Sequence, residues 1–262
     1  MIAQLISDVG DKVVLPRFKH LASGDVGEKQ PGDYVTVADL EAESRMTSAL
    51  KQRYPKATVI GEESIAADPN LLGRIETDPH VWLIDPLDGT GNFVSGNPDF
   101  GMMLTELMSG SATRSWIWQP VHRHMYVARL HGGVWKDGVR VWRARPQNSQ
   151  LNGASSAAYM NLSPGPSLTV FPMKGACAVD YPDIIDGRSD FLIHNGRNAW
   201  DHFPGMLMLE ELQGVVRFAD GEAFSVAPVS RYRLVAAASE SAWDVVTTAM
   251  KGLPLPPAVA PQ

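Results

Sequence analysis

Carboxylates recur in this sequence at four places where a strand is predicted to end or a helix to begin. The acidic residues at these places are Asp39, Glu62, Glu63, Asp85, Asp88 and Asp201. Taken singly they have ordinary explanations, because aspartate is a preferred helix N-cap and Asp, Pro and Gly dominate turns. Their combination with the neighbouring glycines favours a shared chemical site.

The segment WLIDPLDGTGNF carries the strongest of these signals. Asp85 ends an apolar run, where a buried carboxylate is costly unless it is paired or bound to a metal. Pro86 fixes the backbone so that Asp85 and Asp88 can converge on one side of a turn. Oxygen ligands without a nearby His or Cys suit a hard cation such as Mg²⁺.

The glycine-rich stretch that follows, residues 89–92, offers free backbone N–H groups at a predicted helix start. A phosphate is stabilised in such a place. Several carboxylates beside an anion-binding turn indicate metal-assisted hydrolysis of a phosphate ester.

These motifs resemble those of the inositol monophosphatase family, a group of magnesium-dependent, lithium-sensitive sugar phosphatases. The resemblance is carried by VTVAD, IGEES, WLIDPLDGTGNFVSG, and AWD followed by GMLMLEELQG, at residues 35–39, 60–64, 82–96 and 199–214. The block at 120–135 is similar to the family's mid-domain hairpin. The resemblance covers nearly the whole chain and implies a phosphoric monoester hydrolase acting on a small sugar or polyol phosphate.

The resemblance also implies two to three Mg²⁺ ions per site and assigns their ligands. Glu62, Asp85 and the backbone carbonyl of Leu87 would hold a first ion. Asp85, Asp88 and Asp201 would hold a second, and Glu62 would share a third, weaker one.

Catalytic and substrate-binding roles follow from the same resemblance. Thr90, together with Glu62, would orient and activate the attacking water, and Asp39 would support Thr90 by a hydrogen bond. The N–H groups of Gly89 and Thr90 would hold the phosphate. Glu63 would lie behind the metal ligands.

One position departs from the inositol-specific members of the family. They carry a glutamate seven residues before the last aspartate, where it contacts ring hydroxyls, and this chain carries His194. As a protonated imidazole, His194 would favour a substrate with a second anionic group, and Arg197 and Lys174 are further candidates for that group. The alternative is that His194 ends a strand and faces solvent. We expect myo-inositol 1-phosphate to be hydrolysed without being the best substrate.

Several alternatives stay open at this stage. Fructose-1,6-bisphosphatase, histidinol-phosphatase and phosphoadenosine phosphate phosphatase activities occur on the same fold, and a catalytically silent regulatory protein is a less favoured possibility. A second metal site at His122 and His124 is disfavoured. Cys177 is expected to be a core residue, and four tryptophans are expected in the core or a dimer interface, namely Trp116, Trp118, Trp135 and Trp142.

Composition limits the partners and the setting. With 23 basic against 29 acidic residues the net charge is −6, which disfavours a nucleic-acid partner. The sequence has no apolar run of membrane-spanning length and no signal peptide, and its single cysteine favours a reducing, cytoplasmic location. A homodimer is expected from the resemblance alone.

The elements that must position these residues can also be predicted. Helices are expected over 2–20 and 39–54, the second with Asp39 as its N-cap. A loop is expected over 21–34 and a polar connection over 66–79. Apolar segments at 57–61 and 81–85 predict strands, the latter breaking at Pro86, and 100–141 reads as an antiparallel meander.

Beyond residue 145 strands and helices alternate. The resemblance implies a five-layered αβαβα sandwich of the inositol monophosphatase and fructose-1,6-bisphosphatase type, in the α+β to α/β class. We expect an N-terminal α+β domain at 1–145 with the antiparallel sheet and most metal ligands, and a C-terminal α/β domain at 146–262 with Asp201.

Overall fold

The N-terminal segment is helical, as its apolar spacing predicts. The computed structural model describes residues 1–142, 150–156, 167–196, 198–226 and 233–251. Helix α1 (Ile2–Val9) continues into a π-helical turn (Gly10–Val14) and a 3-10 turn (Leu15–Arg17). Pro16 lies in that last turn, where the helix ends, as expected of a residue without a backbone donor.

The predicted loop at 21–34 is wrong in part, because it contains most of an antiparallel hairpin of β1 (Val26–Gln30) and β2 (Asp33–Thr36). Helix α2 (Val37–Arg53) follows directly. Its N-cap is Thr36, so the predicted N-cap role of Asp39 is also wrong. Asp39 is the third helical residue and closes a capping box by accepting the Thr36 backbone N–H.

A seven-stranded sheet forms most of the N-terminal half, in the order β3-β4-β5-β6-β7-β8-β9. Its strands are β3 (Thr58–Gly61), β4 (His80–Asp88), β5 (Gly101–Met108), β6 (Ser111–Gln119), β7 (His124–Arg129), β8 (Gly133–Lys136) and β9 (Val139–Arg140). Only β3 and β4 pair in parallel, and the meander from β4 to β9 is antiparallel, as predicted.

Short helices surround the parallel pair. Helix α3 (Glu62–Ala67) and helix α4 (Leu71–Thr77) connect β3 to β4, so the predicted polar connection at 66–79 is largely helical. Strand β4 continues through Pro86, because a bulge opposite β5 absorbs one extra residue between Asp85 and Asp88. Helix α5 (Thr90–Ser95) begins immediately after β4.

A five-stranded sheet in the order β11-β10-β12-β14-β13 lies in the C-terminal half. Its strands are β10 (Leu151–Ser155), β11 (Leu168–Pro172), β12 (Phe191–His194), β13 (Val215–Phe218) and β14 (Leu234–Ala237). The first three pair in parallel and the last two are antiparallel. Helices α6 (Cys177–Ile185), α7 (Ala199–Glu211) and α8 (Glu240–Ala249) complete the half.

Three buried clusters define the layers. Ile6 and Met46 of the N-terminal helices pack on Trp82 of the large sheet. Residues of α6 and α7 pack against both sheets, and residues of α8 cover the outer face of the small sheet. The order is helix, sheet, helix, sheet, helix, which confirms the five-layered sandwich.

The predicted domain boundary falls among residues outside the described ranges, so the two-domain division stays a prediction. Across the described ranges, no helix has the length and apolar character needed to cross a membrane.

Candidate active site

Three carboxylates from distant parts of the sequence meet between the sheets. Asp85 and Asp88 lie at the end of β4, on either side of its bulge, and Asp201 lies in the first turn of α7. One oxygen from each lies within 4.8 Å of the others, and within the described ranges this is the one His, Cys, Asp and Glu group close enough to hold a metal ion. The structure therefore brings three predicted ligands together.

The protonation of this group reflects its crowding. Burial, followed by repulsion from the neighbouring carboxylates, raises the pKa of both Asp85 and Asp201 well above the ordinary value. Burial also raises the pKa of Asp88 to about 7. A divalent cation would offset this repulsion, and an all-oxygen donor set fits a hard ion.

Asp88 connects the two halves of the chain. Its carboxylate accepts backbone hydrogen bonds from Ala178 and Cys177, in the first turn of α6. These donors oppose the effect of burial, because the free N–H groups of a helix start favour a negative charge.

Glu62 lies beside this group rather than within it. It is the first residue of α3, and its Oε1 lies 2.7 Å from the Lys29 Nζ, which is also 2.8 Å from Oε1 of Glu63. Burial raises the pKa of Glu62 to about 7, and the charge of Lys29 opposes the rise. Lys29 belongs to the β1–β2 hairpin, so this hairpin reaches the acidic centre.

Sequence reasoning missed Glu43, which fixes the start of α3. Its two carboxylate oxygens accept the backbone N–H groups of Glu63 and Ser64 at 2.8 and 2.9 Å. A side chain at Gly61 would begin 2.2 Å from the Glu43 carboxyl carbon, so only glycine fits there. Glu43 lies four residues after Asp39, on the same face of α2, and this spacing was the available signal that its carboxylate lies near the site.

Thr90 and Asp39 meet as the resemblance implies. The Thr90 hydroxyl lies 3.0 Å from Asp39 Oδ1 and 2.9 Å from the carbonyl oxygen of Leu87. Its single proton can be donated to one of them at a time. Asp39 is 1% exposed, and burial raises its pKa to about 6.

The turn before α5 requires glycine. Gly89 has φ +84°, and a Cβ there would lie 2.8 Å from the Ala176 Cβ. Sequence reasoning missed Asn92, whose amide donates to the carbonyls of Asp99 and Lys174 at 2.6 and 2.8 Å. Asn92 thereby ties the segment before α6 to this turn.

His194 does not face solvent as a free side chain. Its Nδ1 accepts the Gly196 N–H at 2.8 Å, and its Nε2 lies 3.8 Å from Cys177 Sγ. Burial lowers its pKa, which favours the neutral imidazole in the substrate-free protein. Its pairing with a second anion and its place in the substrate site stay predictions. Arg197 lies outside the described residues.

The remaining candidates have structural explanations. His122 lies 2.9 Å from Asp99 and His124 lies 2.8 Å from Asp137, so the two histidines have separate partners. Cys177 is 2% exposed, as expected of a core residue. Among the tryptophans, Trp116 and Trp118 are buried and Trp135 and Trp142 are exposed.

The chain belongs to the inositol monophosphatase family, whose model matches residues 2–251. An inositol monophosphatase from Mesembryanthemum crystallinum is 30% identical over 217 residues, which cover 77% of this chain and 79% of the relative. The Nus factor SuhB of Pseudomonas aeruginosa is 28% identical over 205 residues, covering 73% and 74%.

Solved structures share the fold. The extragenic suppressor protein suhB from Bartonella henselae superposes with a TM-score of 0.82 at 22% identity, covering 97% of this chain and 98% of that one. A dual specific IMPase/NADP phosphatase bound with D-inositol-1-phosphate superposes with a TM-score of 0.77 at 19% identity, covering 93% and 91%.

Proposed function

We propose that this protein is a Mg²⁺-dependent phosphomonoesterase that hydrolyses a small sugar or polyol phosphate. The observation that carries the proposal is the group of Asp85, Asp88 and Asp201, with carboxylate oxygens within 4.8 Å of one another. It lies where β4 runs into the Gly89 turn, whose N–H groups suit a phosphate. Membership of the inositol monophosphatase family supports the same chemistry.

The ligands would be those that the resemblance assigns. Asp85 would be a ligand of both ions. Glu62 and the Leu87 carbonyl would be the other ligands of the first ion, and Asp88 and Asp201 those of the second. When bound, Mg²⁺ lowers the pKa of a bound water molecule and stabilises negative charge on the phosphate and on the leaving oxygen.

Thr90 positions the attacking water. When the Thr90 hydroxyl donates to Asp39, its lone pairs can accept a hydrogen from that water. Glu62 would take the water's proton, as the resemblance implies. The N–H groups of Gly89 and Thr90 hold the phosphate in place.

The alcohol part of the substrate would meet His194 as a neutral group. A neutral imidazole offers one donor and one acceptor, whereas a glutamate accepts from two vicinal hydroxyls. We therefore keep the proposal that myo-inositol 1-phosphate is hydrolysed without being preferred. His194→Glu should shift the ratio of kcat/KM values toward inositol 1-phosphate, measured against histidinol phosphate and phosphoadenosine phosphate.

A regulatory role is the second candidate, because a relative of 28% identity is a Nus factor. The complete carboxylate group favours catalysis over a silent binding protein. A cytoplasmic homodimer is part of the proposal, to be checked by fractionation and by light scattering.

Phosphate release from a panel of small phosphomonoesters tests the function. We expect release with Mg²⁺, none after chelation, and a loss of at least ~10²-fold in Asp201→Asn. Asp244→Asn, an exposed change on α8, is the matched control and should leave release unchanged. Equal activity of Asp201→Asn at saturating Mg²⁺ would refute the assignment of the site.

A further inference from the structure

Two histidines, the half-buried His194 and the buried His202, flank the loop that leads to Asp201. His194 ends β12 and His202 lies in the first turn of α7, and their rings meet edge to face with centroids 4.8 Å apart. Between them lies Gly196, where a Cβ would sit 2.4 Å from the His194 ring. Neither family resemblance nor the proposed ligand set assigns His202 a task.

The hydrogen bonds define how each imidazole is protonated. The carbonyl oxygen of Gly196 lies 3.1 Å from His202 Nε2 and can only accept, so Nε2 carries the proton. His202 Nδ1 then accepts from the Tyr181 hydroxyl at 3.0 Å. On the other side, the Gly196 N–H donates to His194 Nδ1 at 2.8 Å. Both backbone groups of Gly196 are therefore fixed by imidazoles.

The loop held in this way positions a metal ligand. Asn198 is the N-cap residue of α7, its side chain hydrogen-bonds to Asp201, and its carbonyl accepts the Asp201 N–H at 3.2 Å. Tyr181 and His202 are fully buried, and a Cβ at Gly205 would lie 2.2 Å from the Tyr181 ring. The Tyr181 ring is thus packed closely enough to fix the direction of its hydroxyl.

We propose that His202, oriented by Tyr181, is a positioning residue that holds Gly196 and thereby sets the Asp201 carboxylate for Mg²⁺. The inference rests on the proposed function, because it takes Asp201 to be a ligand. The imidazole acts through the loop and does not touch the ion or the substrate. Partners that orient metal ligands typically change metal affinity by about 10–100-fold when removed.

The test measures Mg²⁺ binding without turnover, as the free Mg²⁺ concentration at the midpoint of a calorimetric binding titration. His202→Leu should raise this concentration about tenfold. His202→Gln should stay within about threefold, because the glutamine amide nitrogen can donate to Gly196 as Nε2 does. Tyr181→Phe removes only the hydroxyl and replaces His202→Leu in the test if that variant does not fold. It should raise the Mg²⁺ concentration at the midpoint about threefold.

Tyr126→Phe is the matched control. Tyr126 is also fully buried, and its hydroxyl donates to Asp186 at 2.9 Å, away from the loop. Tyr126→Phe should have a lower Tm than the wild type and the same Mg²⁺ midpoint. A wild-type midpoint in both His202→Leu and Tyr181→Phe would overturn the proposal, and so would a His202→Gln variant as weak as His202→Leu.

Amide hydrogen exchange separates this inference from the proposed function. If the wild type neither binds Mg²⁺ in the titration nor releases phosphate, the proposed function fails, and metal positioning by His202 fails with it. Whether His202 holds Gly196 is then judged alone, by hydrogen exchange of the Gly196 amide, which donates to His194 while the Gly196 carbonyl accepts from His202. Exchange at least tenfold faster in His202→Leu supports this hold on the loop. Unchanged exchange overturns it.

Discussion

Replacing Asp88 by asparagine should stabilise the metal-free protein while abolishing its metal-dependent activity. The pKa of Asp88 in the folded protein is about 7, against an ordinary value of 3.8. Ionising this carboxyl above about pH 7 therefore costs the folded state about 4 kcal/mol, at ~1.36 kcal/mol for each pH unit of difference. Asparagine removes this cost and keeps a carbonyl oxygen that can accept the N–H groups at the start of α6.

The pH dependence gives the prediction its sign. The pKa of the Asp88 carboxyl is higher in the folded than in the unfolded state, so the folded state binds more protons between about pH 4 and 7. The free energy of unfolding therefore falls as the pH rises through this range. Asp88→Asn should thus match the wild type near pH 4 and exceed it by about 2–4 kcal/mol near pH 8 in chelator. The lower bound allows for relaxation around the new amide.

Urea unfolding with EDTA at both pH values measures this difference, and the same titration with Mg²⁺ supplies the contrast. Added Mg²⁺ should stabilise the wild type and leave Asp88→Asn almost unchanged. An Asp88→Asn variant less stable than the wild type near pH 8 without metal would refute the reasoning. It would show that the carboxylates of this group stabilise the empty fold.

Three further outcomes are expected. Thr90→Ala should lower kcat about 10²-fold with little change in KM, since the hydroxyl acts on the attacking water; a change confined to KM in steady-state phosphate release would contradict that role. Gly89→Ala should lower the free energy of unfolding by about 1–3 kcal/mol, because the φ of residue 89 is +84° and a Cβ there would contact Ala176. A thermal unfolding curve like that of the wild type would show that the turn can relax. Li⁺ at millimolar concentration should slow phosphate release, as in the lithium-sensitive family that the motifs resemble, and an unchanged rate would count against that likeness without touching the phosphatase assignment.

The convergence of Asp85 and Asp88 could be predicted from the sequence because its signals are local. Asp85, Asp88 and Gly89 occupy one short segment in which an apolar strand, a proline and glycines allow few conformations. The antiparallel meander was equally readable, since its connections are too short for crossovers.

The parts that were missed depend on contacts between distant residues. Glu43 and Asn92 act on backbone groups 20 and 82 residues away, and the helical spacing of Glu43 from Asp39 does not indicate which backbone groups it reaches. Strand β1 has the sequence VGEKQ, which lacks the apolar alternation that predicts a strand. Helix α4 buries only Ile75, so its polar sequence gave little periodicity.

The two hydrogen bonds that Asp88 accepts from α6 join residues about 90 positions apart, and Asp201 lies further along the chain. During synthesis the large sheet leaves the ribosome well before these partners do. Completion of the acidic centre therefore has to wait for a late docking step between the halves. The proposed Mg²⁺ ion would bind only after this step. It should therefore slow unfolding far more than it speeds folding, because its contacts are absent from an early transition state. A cell that depletes Mg²⁺ would then lose kinetic protection of finished molecules rather than the ability to make new ones.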